Sequence, residues 1–150
     1  MSKLRVARVG LVAAGGTLGT AARAGVALAM AGQTGDFPFA TFTVNIVGAF
    51  LLGALFTFLP VPRARGKGLR DRSNSVRLFF GTGFLGGFTT YSALAVDTAG
   101  LLVTSSVLAF GYALATLLLG ALATWLGIFF ALSAKSANAK RQRADQGGQP

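Results

Sequence analysis

Basic residues in this chain fall in three clusters, Lys3–Arg8, Arg63–Arg77 and Lys135–Arg143, and long apolar tracts separate them. That segregation constrains the fold more than any other feature. The net charge is +10, from 14 Lys+Arg against 4 acids, yet the chain is 53% hydrophobic with a mean hydropathy of +0.62. A nucleic-acid-binding domain of this charge would spread its cations over helix faces. Cations gathered between long apolar tracts instead read as the loops of an all-α, multi-span membrane protein, whose partner is membrane lipid and not nucleic acid. At roughly 20 residues per crossing, 150 residues allow four transmembrane helices in one domain. No Cys, His or Glu occurs. Disulfides, the usual zinc ligands and Cys/His or Ser/His nucleophiles are therefore excluded, and an enzyme is not expected.

The first apolar tract runs from about Val9 to Met30. Its glycines, and Arg23 inside the candidate cleavage motif Ala22-Arg23-Ala24, favour a retained helix over a signal peptide. Asp36 is placed to cap the second span, about 39–59, with Pro38 in its first turn and Pro60 and Pro62 ending it. The third span covers about 78–103. Thr104-Ser105-Ser106 forms a tight connection, and the fourth span covers about 107–132. Residues 1–134 make the membrane domain, and 135–150 form a polar, basic tail expected to be disordered. With four spans the N-terminus, the 2–3 loop and the tail share one side. They hold 3, 6 and 4 Lys/Arg, or 13 of 14. The positive-inside rule makes that side the cytoplasm, in a multi-pass protein of the cell membrane.

Polar residues within spans are costly and mark candidate function. Arg23 lies past mid-depth in the first span, where it could tie helices together or line a polar vestibule. Asn45 in the second span could donate to an anion or bridge two helices. In the third, Gly81-Thr-Gly-Phe-Leu-Gly86-Gly87-Phe-Thr89-Thr90-Tyr91-Ser92 joins adjacent glycines to two β-branched residues, a poor sequence for a continuous helix. A break near Gly86–Thr89 would free carbonyls that could hold a cation. Alternatively, Gly83 and Gly87 form a small-residue stripe against another helix.

These segments resemble the Fluc (CrcB) family of fluoride channels. Gly15-Gly16-Thr-Leu-Gly19-Thr-Ala-Ala-Arg23 is similar to the family's first-span Gly-Gly-x-x-Gly-Ala-x-x-Arg. Val44-Asn45-Ile-Val-Gly48-Ala-Phe50-Leu-Leu-Gly53 is similar to its second-span Val-Asn-x-x-Gly-x-Phe-x-x-Gly. Gly83-Phe-Leu-Gly86-Gly87-Phe88-Thr89-Thr90-Tyr91-Ser92 is similar to the third-span Gly-x-x-Gly-Gly-x-Thr-Thr-Phe-Ser. Tyr112, Thr116 and Gly120 fit a looser fourth-span Tyr-x-x-x-Ser-x-x-x-Gly. The resemblance implies an antiparallel dimer with two fluoride pores along its interface, working by passive efflux. It implies a central structural Na⁺ held by the backbone carbonyls of Gly86 and Thr89 and those of the partner. It also implies an anion path touched by Arg23, Asn45, Tyr91, Ser92, Tyr112 and Thr116.

The chain departs from the pattern where the family has two Phe three apart; here they are Tyr91 and Leu94. A homodimer of antiparallel copies needs both orientations and hence little Lys/Arg bias. The 13-to-none split between the two sides opposes that. The expected partner is therefore a paralogous chain of opposite topology. Two other readings stand beside the channel. A small multidrug-resistance-type exporter would need a membrane carboxylate, and Asp97 near the outer end of span three is a weak candidate. In a non-transporting membrane subunit, the glycines and Asn45 would only pack helices.

Overall fold

The computed structural model describes residues 3–32, 36–59 and 73–147, and every regular element among them is helical. Helix α1 is Lys3–Ala29 and α2 is Phe39–Phe58. Helix α3 is a π-helical stretch, Arg77–Leu85, closed by one α-helical turn, Gly86–Phe88. Helix α4 is Tyr91–Thr104, and α5 is Ser106–Gly147. Among the described residues, three helices are long and apolar enough to cross a membrane: Arg5–Ala29, Phe39–Phe58 and Ser106–Ala139. The third apolar tract does not join them, because it is divided between α3 and α4. Large apolar side chains are widely exposed, Val103 at 90% and Val107 at 84%. Such a surface suits solvation by lipid. The chain is a membrane protein.

Glycines set the packing. A Cβ on Gly15 would lie 2.2 Å from the Phe79 carbonyl oxygen, and one on Gly19 2.0 Å from that of Phe84. Gly83 and Gly87 meet the Val12 and Gly16 carbonyls in the same way. Residue numbers rise together along this contact, so α1 and α3 run parallel with their backbones touching. Phe79 O and Phe84 N, at the spacing of a π turn, both face the gap that Gly15 leaves. Helices α2 and α5 form a second parallel pair, with Ile46 against Gly120, Phe50 against Gly127 and Thr57 against Lys135. The two pairs are mutually antiparallel: Gly48 meets Thr89, and Phe56 meets Gly81. One end of the bundle therefore collects the starts of α1 and α3, the end of α2 and the basic part of α5.

Three expectations need correction. Asp36 does not cap α2; Pro38 holds the N-cap position without a side-chain hydrogen bond, and the helix starts at Phe39. The glycine pair does not break the third tract, since Gly86 is αR and Gly86–Phe88 is helical. The break falls at Thr89 (φ −76°, ψ 156°) and Thr90 (φ −149°, ψ 121°). A β-branched pair is at home in extended backbone. The tail is helical through Gly147, because Ala, Lys, Arg and Gln are strong helix formers. Helix α5 has 42 residues. At about 1.5 Å per residue it reaches roughly 63 Å, well beyond a bilayer's hydrocarbon core. The tight connection is as expected, with extended Ser105 between α4 and α5 and its Oγ accepting from Leu108 N at 3.3 Å. Pro60, Pro62 and the basic loop from Arg63 to Arg72 lie outside the described residues.

Candidate functional site: a helix break facing an open groove

Two extended residues inside an apolar bundle strand the backbone groups that a continuous helix would pair. Asn45, from α2, answers this at Thr90. Its Oδ1 accepts from Thr90 N at 2.8 Å, and its Nδ2 donates to Thr90 O at 3.0 Å. The amide thus substitutes for one rung of backbone pairing, and of the two roles the sequence leaves open it fills the helix-bridging one. Thr90 is only 7% exposed, and its Oγ1 accepts from Ala93 N at 3.1 Å. That hydrogen bond caps α4. The Thr90 hydroxyl also lies 3.2 Å from Ser92 Oγ. On the other side of the break, Thr89 N and Oγ1 both donate to Leu85 O, each at 2.9 Å.

This wiring has a consequence for two carbonyls. In an unbroken helix Thr90 N would return to Gly86 O and Ala93 N to Thr89 O. Here the first donor goes to Asn45 and the second to the Thr90 hydroxyl. The Gly86 and Thr89 carbonyls are left without those partners. Both residues line a groove of about 460 Å³, open to the surface, together with Asn45, Gly48, Tyr91 and Thr116. The groove is rich in acceptors. Thr89, Thr116 and Thr124 spend their hydroxyl protons on Leu85 O, Tyr112 O and Gly120 O, so lone pairs face the space. The freed carbonyls and threonine oxygens are the ligand type a hard cation takes, set in an otherwise largely apolar wall. Among the described residues no group of three His, Cys, Asp or Glu side chains offers a rival metal site.

The groove gathers Asn45, Tyr91, Thr116, Gly86 and Thr89. It does not include the other three predicted residues. Arg23 lines a separate cavity of about 200 Å³ with Thr41, Val44 and Ala93, and Thr90 lies between the two spaces. Ser92 is exposed beside Thr90. Tyr112 is buried at 1% exposure in a cluster with Leu94, Leu101 and Ala109; its ring meets Phe37 edge-on, and its hydroxyl donates to Asp97 at 3.3 Å. Leu94, the departure from the family's Phe, belongs to that cluster and also lines the groove. Thr90 was missed in the sequence, though an N-cap threonine opening an apolar helix is a readable signal. Replacing it by Val, which keeps shape and loses the cap, should cost about 1 kcal/mol in thermal unfolding, and Thr90→Ser should restore it.

An all-helical membrane protein with a helix broken inside the bundle, pinned by a half-buried amide beside an open groove, is the architecture of a channel or carrier subunit. The family model described as "CrcB-like protein, Camphor Resistance (CrcB)" matches residues 10–128, and the chain belongs to that family. The chain is 50% identical over 122 residues to "Fluoride-specific ion channel FluC 2" of Leifsonia xyli subsp. xyli, covering 79% of each chain. It is 44% identical over 122 residues to "Fluoride-specific ion channel FluC 1" of Cutibacterium acnes, covering 80% of this chain and 82% of the other. To "Fluoride-specific ion channel FluC" of Chlorobium chlorochromatii it is 42% identical over 133 residues, covering 85% and 94%. The exporter and packing-subunit readings give way to this membership.

Proposed function

We propose that the chain is a subunit of a fluoride-specific channel that lowers cytoplasmic fluoride by passive efflux. Its relatives carry that name, and the groove at the helix break is the observation that supports the mechanism. In this reading α3 and α4 together make a fourth crossing. An open groove that holds freed backbone carbonyls is poorly suited to lipid, so a second chain covers it, lying antiparallel, with pores along the joint. The Gly86 and Thr89 carbonyls with their partner equivalents hold a structural Na⁺, whose charge when bound offsets carbonyl dipoles that would repel an anion. Asn45 and Thr90 fix where those carbonyls point. Tyr91 is 81% exposed. It offers the groove a ring edge and a phenol. The N- and C-termini are cytoplasmic, on the end where Arg5, Arg8, Arg77 and Lys135 gather.

The partner is a paralogous chain of reversed Lys/Arg bias that supplies the Phe absent at Leu94, so the two pores differ. The numerals in the names of two relatives, FluC 2 and FluC 1, fit chains that occur in sets. Liposome reconstitution tests both levels. The purified chain alone should give no fluoride efflux, and the chain co-purified with an oppositely biased family member should give rapid efflux that is lost when sodium is replaced by a large organic cation. Efflux from this chain alone would refute the heterodimer; a silent pair would refute the channel; indifference to sodium would refute the ion's role.

A further inference from the structure

Arg77 opens the π-helical stretch of α3, and its Nη1 is buried with no hydrogen-bond partner among the described residues. Its guanidinium carbon sits 4.6 Å from the centre of the Phe56 ring. This cation–π contact holds the charge between α2 and α3. A buried guanidinium N–H left unpaired costs more than an ordinary missing hydrogen bond, so the geometry calls for an acceptor that the described residues do not supply.

The position of this pair relates it to the groove. Gly81, one helical turn after Arg77, and Leu52, one turn before Phe56, form the groove's wall at that end. A Cβ on Gly81 would come within 2.9 Å of Phe56 Cζ, so the ring tip rests on the wall while Arg77 sits against the ring. Along the groove the threonine hydroxyls and the two freed carbonyls present acceptors, which do not attract an anion. Among the described residues the cations flanking this stretch are Arg23, behind Thr90, and Arg77 at the opposite end. Lys135 shares Arg77's end of the bundle but is committed, donating through Nζ to Thr57 O at the close of α2.

We propose that Arg77 is a positioning residue for anion entry: held by Phe56 beside the basic end of the groove, its charge gathers a small, strongly hydrogen-bonding anion before it meets the stretch where the freed carbonyls lie. This rests on the channel reading and adds to it an entry station on one side of the membrane. Lys in its place would keep the charge and lose the flat stacking surface; Gln would lose the charge; Met would keep the stem on Phe56 and remove the polar tip.

The test is recording from the complete channel, this chain with the partner it assembles with, in planar bilayers with fluoride added to one side at a time. For R77Q, the fluoride concentration at half-maximal current should rise about fivefold on the basic-end side, stay unchanged on the other, and leave the maximal current and the size-exclusion profile intact. R77K should stay within about twofold of the parent. If R77Q does not assemble, R77M carries the same expectation, because it buries no polar group. Saturation curves identical to the parent's on both sides overturn the proposal. So does an equal loss on both sides, the signature of a purely structural arginine. Absence of current from the parent channel would instead remove the channel reading and this one with it.

Discussion

Asn45→Ala should abolish fluoride efflux and lower the unfolding free energy by about 1–3 kcal/mol, two half-buried hydrogen bonds to Thr90 lost at once. The magnitude follows from what the amide does. Thr90 N and Thr90 O both pair with Asn45. At that depth the lipid supplies no replacement. Without Asn45, Thr90 N can swing back toward Gly86 O, re-forming helix across the break and closing off the carbonyl that the groove needs. Asn45→Asp separates the two halves of the contact. It keeps an acceptor for Thr90 N but sets a carboxylate oxygen against Thr90 O, so it should be at least as damaging. Thermal unfolding in detergent, measured beside efflux, checks both variants. An Asn45→Ala protein with parental stability and flux would mean that the break holds itself open.

The second large effect is expected at Gly19. A methyl there would sit 2.0 Å from Phe84 O and 2.9 Å from Phe88 N, and backbone atoms of a packed helix cannot yield as a side chain does. Gly19→Ala must therefore push α1 away from α3 along its length, with a destabilisation at or above the upper end of the usual overpacking range of about 1–3 kcal/mol. Gly25→Ala in the same helix meets nothing within 4 Å. It should be neutral or stabilising by up to about 1 kcal/mol, through helix propensity alone. The yield of monodisperse protein and its thermal midpoint distinguish the pair. Equal behaviour of the two alanines would show that the α1–α3 contact is looser than described.

Hydropathy located three of the four expected spans and placed their ends poorly. Lys3 to Arg8 are helical although they precede the apolar tract, and α5 continues past Leu132 into a basic stretch. A hydropathy boundary marks where lipid ends, and a helix need not end there. The glycine motif suggested either a break or a packing stripe, and the structure contains both on different residues. Gly83 and Gly87 pack on α1, and the Thr89–Thr90 pair makes the break. Adjacent glycines are poor helix formers in isolation, but close contact with α1 keeps these helical. The role of Asn45 could not be read locally, since its partner lies 45 residues away. The π-helical stretch has no sequence signature either: its widened turn faces Gly15, on a helix far earlier in the chain. Arg77 was counted only as one of the basic residues in a loop. The lack of an acceptor for its Nη1 among the described residues emerges once α2 and α3 are set side by side.

The pairing of helices through glycine also bears on how the chain is made. The closest partners are α1 with α3 and α2 with α5, while α1 and α2, neighbours in sequence, touch only sparsely. A nascent chain that has released only its first two helices therefore holds two grooved faces, each shaped for a helix not yet synthesised. No early hairpin can serve as a finished platform. Assembly has to proceed by interleaving, with α3 seated beside α1 before α5 closes on α2, and any pause between those events leaves exposed backbone in the bilayer for a membrane chaperone or protease to recognise.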